Sequence, residues 1–320
     1  MQTIQEISTR FQQLREQLDS VILGQHGVKA LAITTLVAGG HMLLEGVPGT
    51  GKTLLSLALA RLLGCRFRRI QFTPDLMPAD LVGANVFNQK SEEFAFRPGP
   101  IFTDVLLADE INRTPPRTQA ALLEAMQENA ATVDGVRYRV SPVFTVFATQ
   151  NPVEFEGTYP LPEAQRDRFL MKITIDFPEA SDEHRMLAAY AAGQRLHDDM
   201  VAKLQPSVSA EELATARKTV ATQVRVEPEI IRYIQEIVAK TRNDDAVQIG
   251  AGPRASLALL EASRAAAALQ GRDFITPDDV KALVPPVLAH RVTLSPEAEM
   301  EGLALEDLLT RIFEAVEVPR

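Results

Sequence analysis

Hydrophobic positions recur in two rhythms along this chain, and the switch between them marks its organisation. Ile4, Ile7, Phe11, Leu14 and Leu18 follow one another at spacings of three and four among polar residues, which predicts an amphipathic helix laid on a larger body. From Met42 onward the pattern becomes short apolar runs: Met42 to Leu44, Phe67 to Phe72, Val105 to Ala108, and Val143 to Ala148. Such runs, separated by helical stretches, read as buried strands of a parallel sheet with helices on both faces. The expected fold class is α/β, with a three-layer αβα core.

Between the second and third runs lies Pro74 to Pro100, rich in Pro, Gly and Asn, with a short hairpin expected from Ala84 to Phe96. A second hairpin is better signalled, because Thr132-Val133 and Val136 to Val140 flank Asp134-Gly135, a pair that tolerates the positive φ angles of a tight turn. Both hairpins should project from the sheet. After about Phe177 the strand signal gives way to alanine-rich helices. Pro228 opens one that carries Ile230, Ile231, Ile234 and Ile237, and Thr276-Pro277-Asp278-Asp279 starts another with a cap, a first-turn proline and two acids. The expected division is a core over residues 1–180 and a smaller, all-α lid over 181–320.

Composition narrows the function classes. With 46% hydrophobic residues in 320, the chain can bury a sizeable core. A formal charge of -9 leaves no basic surplus to neutralise a phosphate backbone, so DNA is not expected as a main partner. The single cysteine, Cys65, cannot form an internal disulfide and has no metal-ligand spacing, so a structural thiol is expected. The first twenty residues lack a signal-peptide core, and the most apolar stretch, Ala30 to Ala38, is too short to span a membrane. A cytoplasmic protein without membrane insertion is expected.

The chemistry concentrates in Gly46-Val47-Pro48-Gly49-Thr50-Gly51-Lys52-Thr53, a complete phosphate-binding loop that follows a strand and opens the apolar helix Leu54 to Leu63. Its glycines let backbone N–H groups turn inward around phosphates, at a helix end that already carries partial positive charge. Lys52 would reach the β- and γ-phosphates of ATP, and Thr53 would offer its hydroxyl to Mg²⁺. Asp109 and Glu110 end a buried strand, so they should reach the carboxyl edge of the sheet, where open α/β sheets place ligands. Asp109 would hold the metal through its water shell, and Glu110 would polarise the attacking water. Asn151 ends the next strand, in Ala148-Thr149-Gln150-Asn151-Pro152, where a neutral amide can orient that water without competing for the metal. Arg166 and Arg168 flank Asp167; by itself such a pair is more often a surface ion-pair cluster, while an arginine on a subunit edge can serve as an arginine finger for a neighbouring subunit. Arg254, after Gly252-Pro253, is a candidate to close over the same phosphate from within the subunit.

With these residues in order, the chain resembles AAA+ ATPases of the MoxR family, from Val21 to about Val292. The most specific stretches are Leu107-Ala108-Asp109-Glu110-Ile111-Asn112-Arg113-Thr114-Pro115-Pro116-Arg117-Thr118-Gln119, Leu122 to Glu128, and Ala148 to Pro152 continuing into Gly157 to Gln165. The resemblance implies a P-loop NTPase fold, with Lys52 and Thr53 as Walker A ligands and Asp109 and Glu110 as the Walker B pair. It also implies Asn151 as sensor 1, Arg254 as sensor 2 and Arg168 as the arginine finger. Val21-Ile22-Leu23-Gly24-Gln25 resembles the segment that packs against adenine. The hairpins correspond to insertions shared with magnesium chelatase subunits and dynein-like motors. Gly51 stands where many members have Ala, and Arg166 occupies a commonly apolar position, which leaves Arg166 and Arg168 both open as the finger. The family implies a homo-oligomeric, hexameric ring with chaperone-like action on a partner complex, often a protein with a von Willebrand factor A domain. A nucleotide-loaded scaffold with little turnover and a metal-chelatase-like motor subunit are the competing readings.

Overall fold

A computed structural model describes residues 1–90, 92–151, 157–193 and 198–319. Helix α1 (Ile4–Asp19) buries the predicted stripe and is capped by the Thr3 hydroxyl, which accepts from the Glu6 N–H. Helix α2 (His26–Ala38) stops at Gly39, whose φ of 80° closes the helix in the left-handed region. Then come β1 (Met42–Glu45), α3 (Lys52–Leu62), β2 (Phe67–Gln71), α4 (Pro78–Val82) and the hairpin of β3 (Gly83–Asn88) and β4 (Glu93–Pro98). They are followed by β5 (Val105–Asp109), α5 (Pro116–Glu128), a second hairpin of β6 (Ala130–Val133) and β7 (Val136–Arg139), β8 (Thr145–Gln150), α6 (Glu163–Arg166) and β9 (Met171–Thr174).

Five strands form one parallel sheet in the order β2-β5-β8-β1-β9. All carboxyl ends therefore lie on one edge of the sheet and all amino ends on the other. Side chains alternate between the faces: Met42, Leu44, Val105 and Leu107 enter one apolar cluster, while Leu43, Leu106 and Ala108 enter another with Leu122 and Phe144. The four expected strands are present, but β9 was not among them, and β2 is not buried. It is the edge strand, with Arg68, Arg69 and Gln71 exposed. Two arginines inside an apolar run were the sign of that.

Both hairpins form. Asp134 and Gly135 take φ values of 49° and 81°, as the turn requires. The hairpins brace each other, since Phe96 stacks on Tyr138 at 3.9 Å and Asn85 donates to Asp134 at 2.6 Å. Beyond that brace, Phe87 and Phe94 face one another across the β3–β4 ladder and stay exposed.

The remainder is helical: α7 (Ala180–Ala191), α8 (Asp198–Lys203), α9 (Ala210–Gln223), α10 (Pro228–Arg242), α11 (Pro253–Leu269), α12 (Pro277–Leu288), α13 (Pro296–Met300) and α14 (Leu305–Glu314). One short antiparallel pair, β10 (Val247–Ile249) with β11 (Thr293–Leu294), is an addition to the expected helices. Thr276 and Asp279 form the reciprocal cap expected of α12. On α10, Ile230, Ile234 and Ile237 are buried, whereas Ile231 faces out. The first apolar cluster continues across residue 180, joining Ile7, Ile33 and Leu36 to Leu213, Leu259, Val284 and Leu308. No helix among the described residues is long and apolar enough to cross a membrane.

Candidate functional site: two edges of one sheet

At the carboxyl edge, β1 runs into the phosphate-binding loop and α3 begins at Lys52. Gly49 and Gly51 both have φ of 86°, and a Cβ at either would project into open space. The left-handed backbone keeps the loop turned around a cradle rather than filled by its own side chains. Gly46 is required for a different reason: a Cβ there would lie 2.4 Å from the Ile175 carbonyl oxygen. Lys52 Nζ donates to the Gly46 and Val47 carbonyls at 2.8 Å each. Burial lowers its pKa, with Asp109 and Glu110 pulling it back up. Pro48, Thr50 and Thr53 line the same cavity of about 460 Å³ together with Asp109, Glu110 and Asn151. Because β8 lies between β1 and β5, Asn151 sits at the strand end between the loop and the acids. Pro152 falls outside the described residues.

Three residues that support the acids were not legible in the motif. Asp109 Oδ1 accepts from the Thr149 hydroxyl at 2.6 Å, and Oδ2 accepts from Arg69 Nε and Nη2 at 3.0 and 2.6 Å. Glu110 adopts a left-handed backbone, φ 57° and ψ 50°, and donates its N–H to the Thr149 hydroxyl at 2.9 Å. Its carboxylate accepts from Gln71 at 2.6 Å and pairs with Arg113 at 3.0 Å. Every one of these contacts except Arg113 joins residues about forty apart in sequence, so only the sheet order could reveal them. The donor set suits Mg²⁺, a hard cation that takes one or two carboxylates or hydroxyls and completes its shell with water and substrate phosphates. Thr53 and Asp109 meet that description. No group of three or more His, Cys, Asp or Glu side chains able to hold a metal exists among the described residues.

A second cavity of about 320 Å³ adjoins the first through Gly49, Thr50, Gly51 and Leu54, and Val21, Ile22 and Gln25 form its wall. Gly24 has φ of 64°, and a Cβ there would strike the Asp182 carboxylate at 2.0 Å. Gln25 Nε2 ties the segment to the loop by donating to the Thr50 carbonyl at 3.3 Å. From beneath, the fully buried Lys29 pairs with Asp19 and donates to the Ile22 carbonyl at 2.9 Å. The opposite wall, Phe177 and Met186, was not anticipated. Its signal was available, since α7 carries Met186, Leu187 and Tyr190 yet buries no residue.

The arginines lie elsewhere. Arg168 donates Nη1 to the Leu123 carbonyl at 2.8 Å, and Arg254 Nη1 approaches Asp167 Oδ2 at 3.9 Å. Both line a separate cavity of about 310 Å³ with Gly39, His41 and Leu170, which immediately precede β1 and β9. This is the amino edge of the sheet. The four residues of β1 put about 13 Å of strand between that edge and the phosphate loop. Closure of Arg254 over the phosphate within its own subunit, expected from sequence, therefore does not match its position: the sheet stands between them. Arg166, at the end of α6, stays with Arg168, and the Nε atoms of both are buried without a hydrogen-bond partner. Cys65 is a half-buried thiol whose pKa burial and Asp104 push up to about 12, so it stays protonated.

Comparison with known proteins matches residues 41–171 to the ATPase family associated with various cellular activities (AAA), and residues 239–312 to the AAA lid domain. The chain is 46% identical over 304 residues to the uncharacterized protein YeaC of Bacillus subtilis, covering 95% of this chain and 93% of that one. It is 38% identical over 317 residues to the chaperone MoxR1 of Mycobacterium tuberculosis, covering 95% and 81%. The crystal structure of an ATPase candidate from Cytophaga hutchinsonii superposes with a TM-score of 0.89 at 35% identity, over 98% of this chain and 96% of that one. With its phosphate loop, paired acids and helical lid, the chain belongs to the MoxR family of AAA+ ATPases.

Proposed function

We propose that this chain hydrolyses ATP at a site completed by a second copy, within a hexameric ring that remodels a partner protein complex. The observation that carries this is the separation of charges: the loop and acids occupy one edge of the sheet, the arginines the other. Phosphoryl transfer is accelerated mainly by positioning and by neutralising charge on the transferred group. Lys52 supplies one positive charge from within, and Arg168 or Arg166 of a neighbouring copy supplies another. Arg254, beside Asp167, acts with them across the same boundary. Thr53 and Asp109 would hold Mg²⁺, which would supply Lewis-acid charge at the phosphate oxygens. Glu110 takes the proton of the attacking water, and Asn151 orients that water.

Val21, Ile22 and Gln25, opposed by Phe177, offer a mostly apolar slot for adenine. We propose the same division as the sequence suggests, a nucleotide-binding core over 1–180 and a helical lid over 181–320. The client surface proposed is the exposed Phe87 and Phe94 pair on the braced hairpins. A von Willebrand factor A-domain protein as client rests on the family alone.

Steady-state phosphate release tests the proposal. Glu110→Gln should bind ATP yet turn over far more slowly, and Arg168→Ala should lose turnover while keeping nucleotide affinity; unchanged rates in both would remove these roles. The engagement of Glu110 by Gln71 and Arg113 favours one second reading, a nucleotide-loaded scaffold with little turnover. Release that stays negligible with and without a client complex would favour it.

A further inference from the structure

Arg291 follows α12 in the helical part of the chain, far from the phosphate loop, and no motif singles it out. Its side chain is 3% exposed. Burying a guanidinium is costly unless its donors are met, and here all five are. Nε donates to Asp167 Oδ1 at 2.8 Å, Nη2 to the Asp167 and Phe169 carbonyls at 3.2 and 2.6 Å, and Nη1 to the Leu170 carbonyl at 3.0 Å and to the Val287 carbonyl. Four of the five acceptors belong to the segment 167–170 that carries Arg168, and the fifth is the last turn of α12. His290 adds a contact from its Nε2 to the Phe169 carbonyl at 2.9 Å. Phe169, buried on the opposite face of the sheet, closes the segment from the other side.

We infer that Arg291 is a positioning residue: it clamps the arginine-bearing segment to α12, so that Arg168 is presented to the neighbouring copy in one orientation. A planar fork with five fixed donors can bridge four backbone carbonyls and a carboxylate at once; an ammonium or an amide cannot. The lid and the arginine segment therefore move as one piece, and displacement of the lid in one copy shifts the arginine offered to the next. The inference rests on the proposal that Arg168 acts on a second copy's nucleotide.

The test uses full-length chains. Arg291→Gln alone should lower kcat by about tenfold or more with KM for ATP within about threefold, and a fluorescent ATP analogue should bind with affinity within about threefold of wild type. Mixed with equal Glu110→Gln chains, which bind ATP and offer an intact arginine segment, Arg291→Gln chains should regain turnover, because their own phosphate sites are sound. Arg291→Lys should behave like Arg291→Gln. Arg168→Ala mixed with Glu110→Gln is the control. If that control regains turnover and the Arg291→Gln mixture does not, or if Arg291→Gln alone keeps near-wild-type kcat, the positioning role is overturned. If the control itself fails, the two-copy site falls, and this inference with it.

Discussion

The two edges of the central sheet are built on opposite principles. At the carboxyl edge, the proposed functional groups come from contiguous residues at strand ends: a loop after β1, two acids at the end of β5, an amide after β8. Their supports are neighbouring strands, with Thr149 touching both acids and Arg69 on Asp109. At the amino edge the proposed functional groups are arginines on a short segment before β9, and their support comes from the helical part of the chain, far later in the sequence, through Arg291, His290 and Arg254. One edge is organised by the sheet, the other by the lid. At one edge Lys52 stands beside two carboxylates whose arginine partners, Arg69 and Arg113, are already paired with them; at the other lie the arginines that, on the proposed reading, complete a neighbouring copy's charge balance for phosphoryl transfer.

The sharpest way to break this contrast is to remove the arginine. Arg168→Ala should reduce kcat by about a thousandfold, near the low end for an arginine finger, with nucleotide affinity unchanged by equilibrium binding. A loss of affinity instead would place Arg168 in its own copy's pocket. Glu110→Gln should cost about a hundredfold or more in kcat, the range of a general base, while retaining bound ATP on rapid filtration.

Acid should loosen the amino edge. His41, just before β1, is buried with its pKa lowered from 6.5 to about 4 by desolvation, against a raising contact from the Met126 carbonyl. His290, against Phe169, is lowered well below 6.5, chiefly by burial and by Arg291. Both are held neutral when folded, while the unfolded chain protonates them near pH 6.5. Their contribution is therefore fully present above about pH 6.5 and lost as pH falls toward 4, about 3 kcal/mol for His41 alone. Chemical denaturation between pH 7 and 4.5 should show this slope, and His41→Gln should flatten it. A slope unaffected by the substitution would assign the effect elsewhere.

The smallest expected effect concerns the carboxyl edge. Arg69 pairs with Oδ2 of Asp109, the carboxylate proposed to hold the metal, so Arg69→Ala should lower the Mg²⁺ concentration needed for half-maximal ATP binding by about threefold. Titrating Mg²⁺ against a fluorescent ATP analogue reads it directly. A rise would mean that Arg69 contacts the phosphates.

Legibility in the sequence followed the same divide. The carboxyl edge was readable because its parts are contiguous: the phosphate loop, Asp109-Glu110 and Asn151 each stand at the end of an apolar run, and strand ends in a parallel sheet share an edge. The Asp134-Gly135 turn and the Thr276 cap were readable for the same local reason. Strand order was not, so Thr149, Arg69 and Gln71 passed unnoticed although each reaches an acid. β9 alternates Met171 and Ile173 with Lys172 and Thr174 and so gives no continuous apolar run to stand out. The edge that Arg254 meets was not legible, because a helix start in the lid carries no mark of which side of the sheet it will face. Arg291 was invisible, since four of its five acceptors are backbone carbonyls that any residue could present.

One mixing experiment bears most directly on the division of the site between copies. Glu110→Gln and Arg168→Ala chains, each nearly inactive alone, should release phosphate when combined in equal amounts, at about a quarter of the wild-type rate per chain if neighbours pair at random. Mixtures as inactive as their components, under conditions where both chains bind ATP and co-assemble, would contradict a site shared between two copies.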